Sequence, residues 1–151
     1  MAEHAEGSII IEAPASSVMD VIADYEAYSE WAGVKSVEVL ERGPGDRATR
    51  VAFEVDVPVL GKAAYTLAYR YAPGDLGVSW STTEARGAVR ELHGEYLLSE
   101  IEDETEVTYR LSVELGVLVP GMLRTEGAKR VIDAALKGLK QRVEGEERPE
   151  G

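Results

Sequence analysis

The sequence predicts one α+β domain: a curved antiparallel sheet of seven strands, with two short helices after the first strand, closed by one long C-terminal helix. Three observations carry this. Apolar residues alternate with period two through most of the chain from Val34 to Leu115, and Gly, Pro and Asp clusters cut that stretch at hairpin intervals. After Pro120-Gly121 the apolar spacing lengthens to that of a helix, from Leu123 to Val143. A chain of 151 residues supports a single core, here residues 1–145 followed by a polar tail at 146–151.

The first strand is the β-branched run Ser8 to Glu12, and Pro14 with Ser16 and Ser17 marks the passage into a helix whose apolar stripe is Val18, Met19, Val21 and Ile22. A second short helix spans Tyr25 to Trp31 and stops at Gly33. Strands follow at Val34 to Glu41 and Thr49 to Val57, joined across Gly43-Pro44-Gly45-Asp46. Ala64 to Tyr71 comes next, then Gly77 to Thr83 after the turn Pro73-Gly74-Asp75. Val89 to Ser99 and Val107 to Leu115 complete the series, separated by the acidic turn Glu100 to Glu106. In the last helix Ala128, Val131, Ile132, Ala135, Leu136, Leu139 and Val143 form the apolar stripe. Gly127 and Gly138 each weaken it by about 1 kcal/mol relative to alanine, so packing must hold it.

Bulk properties narrow the function. Without cysteine, disulfides and a thiol nucleophile are excluded, and two histidines cannot build a His-rich metal site, so no metal and no cofactor is expected. A net charge of −12 repels nucleic-acid phosphates and anionic lipid headgroups, and no basic stripe offsets it. No apolar run is long enough for stable membrane insertion, and the first residues lack the pattern of a signal peptide; the expected location is cytoplasmic. Oligomeric state is not fixed by these features.

The stretch Ile11-Glu12-Ala13-Pro14, followed by Val18-Met19-Asp20-Val21-Ile22-Ala23-Asp24 and Tyr25 to Trp31, resembles the opening of bacterial polyketide cyclase/dehydrase-like and coenzyme Q-binding proteins. These lie within the START-like or Bet v 1-like (SRPBCC) superfamily. The likeness runs on through Thr108-Tyr109-Arg110-Leu111 and Val119-Pro120-Gly121-Met122-Leu123 into the last helix. It implies a helix-grip fold, the long helix lying across the concave face of the sheet above a cavity. The opening pattern is a folding signature and not a catalytic motif, and the superfamily spans carriers, enzymes and interaction modules.

Alternation places Phe53, Tyr65, Tyr69, Tyr71, Trp80, Tyr96 and Tyr109 on one face, an apolar wall with hydroxyls that suits a hydrophobic small molecule. Trp31, Met122 and Leu136 join this candidate ligand site from the helices. The bland alternative is that the rings only fill a core. A simple meander brings the loops Pro58 to Lys62, Thr83 to Ala88 and Gly116 to Gly121 to one end, where Val57 to Leu60 and Val117 to Met122 would form an apolar mouth. The opposite end carries Asp46, Asp75 and Glu100 to Glu106, read as solvated acidic turns ahead of a calcium site. Acid/base candidates are sparse: His93 opposes Tyr96 in parity, and Arg90 turns inward only if its strand changes register. The catalytic residues therefore stay unassigned. Binding or carriage of a lipid, quinone or polyketide-like molecule is the leading reading, with a cyclase/dehydrase-like enzyme and a toxin-like interaction module as alternatives.

Overall fold

A computed structural model of the chain describes residues 3–32, 34–57, 61–115 and 121–147. Strand β1 (Glu3–Ile11) leads into α1 (Ala15–Ile22), a 3-10 turn at Tyr25–Ala27 and the single-turn helix α2 (Tyr28–Trp31). Six strands follow: β2 (Ser36–Arg42), β3 (Ala48–Val57), β4 (Gly61–Tyr71), β5 (Gly77–Gly87), β6 (Val89–Ile101) and β7 (Glu104–Leu115). The last element is α3 (Gly121–Glu147). All seven strands form one antiparallel sheet in the order β1-β7-β6-β5-β4-β3-β2, the helix-grip plan. No helix among the described residues is long and apolar enough to cross a membrane.

The strands outrun their apolar patterns. β1 begins at Glu3 because Glu3 to Gly7 pair with Val113 to Tyr109 of β7, although Ala5 and Gly7 give almost no hydrophobic signal. Gly7 is required by α3, which lies chiefly on β1 and less on β7 and α1. A Cβ on Gly7 would stand 2.6 Å from Ile132 Cγ2 and 3.3 Å from Leu136 Cδ1. The segment Thr83 to Ala88, expected as a loop, is mostly strand. β5 continues to Gly87, with a register shift against β4 between Thr66 and Leu67, and turns tightly into β6. Gly87 has φ +83° and sits over Lys62, so side chains are unwelcome there. The end shared by the β3–β4 and β5–β6 hairpins is apolar, with Ala63, Ala88 and Val89 packed beside Val55, Tyr65 and Leu92.

Residues far apart in sequence finish the helix starts. Pro14 caps α1 without a side-chain hydrogen bond, and the carboxylate of Glu100, from the acidic end of β6, accepts the N–H of Ala15 at 2.7 Å. Thr105, fully buried, donates its hydroxyl to the carbonyl of Ala13 at 2.7 Å and so fastens the β1–α1 link to β7. Thr105→Val strands that carbonyl, and we expect a loss of about 1–3 kcal/mol in denaturant unfolding, seen as a lower midpoint at unchanged slope.

Candidate ligand-binding site

The inner face of the sheet is aromatic at its centre because neighbouring strands bring rings into register. Tyr69 pairs with Trp80, Trp80 with Gly94, and Tyr96 with Tyr109. Gly94 makes room for the indole: a Cβ there would lie 2.5 Å from Trp80 Cζ2. Ring centroids stand 5.9 Å apart for Tyr69 and Trp80, 5.4 Å for Trp80 and Tyr96, 5.7 Å for Trp80 and Tyr109 and 4.6 Å for Tyr96 and Tyr109. All are tilted or edge-on, the arrangements aromatic quadrupoles prefer. From Tyr69 the chain of rings continues to Tyr25 at 4.4 Å and through Phe53 to Tyr65 at 5.7 Å.

These central rings are buried without being sealed. Tyr69, Trp80, Tyr96 and Tyr109 each keep 6–8% of their surface accessible, whereas Val51, Val107 and Leu139 around them keep none. Space wide enough for a water molecule therefore touches the rings. α3 runs closest to β1, with fewer close approaches to β7 and α1.

The hydroxyls divide into two groups. Tyr71 donates to the carbonyl of Ala48 at 2.6 Å and lies 3.0 Å from the hydroxyl of Tyr25, while Tyr28 donates to the carbonyl of Ile22. Those three anchor the helical segment to the sheet. Tyr65, Tyr69, Tyr96 and Tyr109 have no hydrogen-bond partner among the described residues. Burial pushes the phenols of Tyr69, Tyr96 and Tyr109 well above their ordinary pKa, and the neighbouring phenols add to the effect. Tyr65 rises to about 12 by burial alone. The phenol of Tyr65 on β4 adds to the rise at Tyr109 on β7, after burial and Tyr96.

The other expected residues fall around this centre. Trp31 forms part of the wall between α2 and α3, its ring on Gly138, where a Cβ would lie 3.2 Å from Trp31 Cε3. Its Nε1 is buried with no hydrogen-bond partner. Leu136 is buried at the seam between α3 and Gly7. The side chain of Met122, and the apolar mouth expected at Val57 to Leu60 and Val117 to Val119, lie outside what is described. Sequence parity missed Tyr25 and Tyr28, which join the aromatic set from the helical segment; only the density of aromatics in Tyr25 to Trp31 hinted at it.

The convex face differs. His93 is exposed there, 2.7 Å from Glu91, and Arg90 is exposed beside a register shift between Val89 and Glu91. Two depressions of about 430 and 410 Å³ also lie on this side, the first between His4, Glu6, His93, Glu95 and Arg110, the second between Glu38, Glu54, Glu84 and Arg86. Both are grooves between rows of polar side chains. Among the described residues no cluster of three or more His, Asp or Glu has the geometry to hold a metal ion.

The profile of one protein family, polyketide cyclase / dehydrase and lipid transport, matches residues 11–140. No curated protein sequence matches the chain. Among solved structures, a START superfamily protein from Mycobacterium smegmatis superposes with a TM-score of 0.84 at 19% identity, covering 94% of this chain and 97% of its own. The Zhui aromatase/cyclase from Streptomyces sp. R1128 gives 0.75 at 22% identity, over 98% and 97%. A STAR-related lipid transfer protein from Xanthomonas axonopodis gives 0.71 at 20% identity, over 93% and 85%. At these identities the three share the fold with this chain.

Proposed function

The chain belongs to the polyketide cyclase / dehydrase and lipid transport family, and from that membership we propose that it binds and carries a hydrophobic small molecule against the concave face of β4 to β7. The observation that carries the reading is the group Tyr69, Trp80, Tyr96 and Tyr109, buried residues that each keep a little accessible surface and whose three hydroxyls lack partners among the described residues. A core packed for stability alone closes such space and pairs such groups. Lipids, quinones and polyketide-like rings all fit this description in kind.

The aromatase/cyclase among the structural relatives makes proton-transfer chemistry the competing reading. Against it, no carboxylate, imidazole, lysine or arginine is buried among the described residues. The phenols that are buried have raised pKa values and stay protonated far above neutrality, which makes them hydrogen-bond donors and poor acids or bases. The balance favours binding.

Tryptophan emission tests the site. Trp80 sits among the central rings and Trp31 in the wall, so titration with menadione, an uncharged bicyclic quinone that quenches indole, separates them. Trp31→Phe is expected to keep a saturable quench and Trp80→Phe to lose most of it. A Trp80→Phe variant that still responds fully, or a wild-type protein with no saturable response, places the ligand elsewhere.

A further inference from the structure

The charge preference of the concave face can be read from its own side chains, given that this face is the binding site. Among the described residues its buried ionisable groups are phenols, and burial holds them protonated well above their ordinary range. The environment that opposes a phenolate there also opposes a carboxylate or phosphate on a ligand, because stripping water from any anion without supplying a countercharge is costly. Asp24, exposed beside Tyr28, adds negative charge to the surroundings.

Countercharge is spent elsewhere. Arg110 lies on the convex face between Glu6 at 2.6 Å and Glu95 at 3.3 Å. Arg42, Arg47 and Arg50 pair with Glu26, Asp20 and Glu41. Arg142 pairs with Glu30, and Lys140 holds the carbonyl of Ile10 together with Glu144. What the concave face offers instead is donors, the hydroxyls of Tyr65, Tyr69, Tyr96 and Tyr109, which have no partner among the described residues. A neutral phenol donates well to a carbonyl or ether oxygen and supplies no compensating charge.

We infer that the site selects uncharged apolar molecules bearing carbonyl or ether oxygens, which Tyr96 and Tyr109 anchor by hydrogen bonds, and that it rejects fatty-acid carboxylates and phosphate headgroups. Selection then rests on two features together, donors without partners and a buried face without a cation among the described residues.

Three naphthalenes of similar size test this by calorimetric titration of the full chain: acetonaphthone with a neutral acceptor, naphthoate with an anionic one, and ethylnaphthalene with none. Near neutral pH acetonaphthone is expected to bind at least about tenfold more tightly than naphthoate, and naphthoate to gain about tenfold per pH unit on acidification until its carboxyl is protonated. In the double variant Tyr96→Phe/Tyr109→Phe, which keeps both rings, acetonaphthone is expected to weaken about thirtyfold, the worth of two ordinary hydrogen bonds, while ethylnaphthalene changes by less than about twofold. Naphthoate binding as tightly as the ketone near neutrality overturns the charge selection and leaves the pocket standing. A ketone indifferent to the double variant overturns the anchoring role. Failure of all three probes to bind removes the pocket itself, and the inference with it.

Discussion

Raising the pH past about 10 unfolds this protein cooperatively within roughly one further pH unit, with tyrosinate absorbance appearing at the same pH at which the circular dichroism of the sheet disappears. Tyr25, Tyr28, Tyr69, Tyr96 and Tyr109 all have pKa values well above 10.0 in the folded chain, and Tyr65 is raised to about 12, in each case mainly by burial. Below pH 10 these groups are protonated in both states, and their contribution to stability is fully present. Between the unfolded pKa and the folded one, the unfolded chain sheds protons that the folded chain retains, so stability falls as pH rises. Each group that stays protonated in the fold alone costs about 1.4 kcal/mol per pH unit in that window, and several acting in the same direction make the fall steep against the small net stability of a domain. Most tyrosines ionising near pH 10 with the sheet intact would contradict the burial of these phenols.

Deleting residues 124–151 abolishes cooperative unfolding. Ile132, Leu136, Leu139 and Val143 of α3 are almost entirely buried, and each contributes about 1.5–3 kcal/mol. Their sum, about 6–12 kcal/mol, consumes the margin available to a domain of this size. A point change should reach the same seam from the other side. In Gly7→Val the new Cβ meets Ile132 at 2.6 Å, on a face where backbone and helix are both fixed. We expect a destabilisation of about 1–3 kcal/mol and loss of much of the menadione response as α3 is pushed off β1. A truncated chain with a sharp thermal transition, or a Gly7→Val protein as stable as wild type, contradicts this account of the core.

The order of elements and the inward set on β3, β4 and β7 were legible because those strands keep one parity throughout, as Val51, Phe53, Val55 and Val107, Tyr109, Leu111 show. Sequence pattern lost the ends of strands where size, and not hydrophobicity, was the requirement. Gly7 faces α3 at a distance that admits nothing larger, and neither it nor Ala5 carries an alternation signal. It also lost the stretch around Thr83 and the start of β6, where a register shift reverses parity without any mark in composition. Within the candidate site, the rings on strands could be grouped, but which hydroxyls are free could not. That depends on partners such as Ala48 for Tyr71 and Ile22 for Tyr28, set by tertiary packing.

The pairing of β1 with β7 has a consequence for how the chain is made. Strands β2 to β7 pair each with the next in sequence, so each hairpin can form as soon as it is translated. β1 pairs with β7 alone, Glu3 opposite Val113, and its other face is covered by α3. Closing so long a loop costs entropy before any contact repays it. Until Val113 has left the ribosome, Glu3 has nothing to pair with, and the first strand synthesised waits on the last to be built into the sheet.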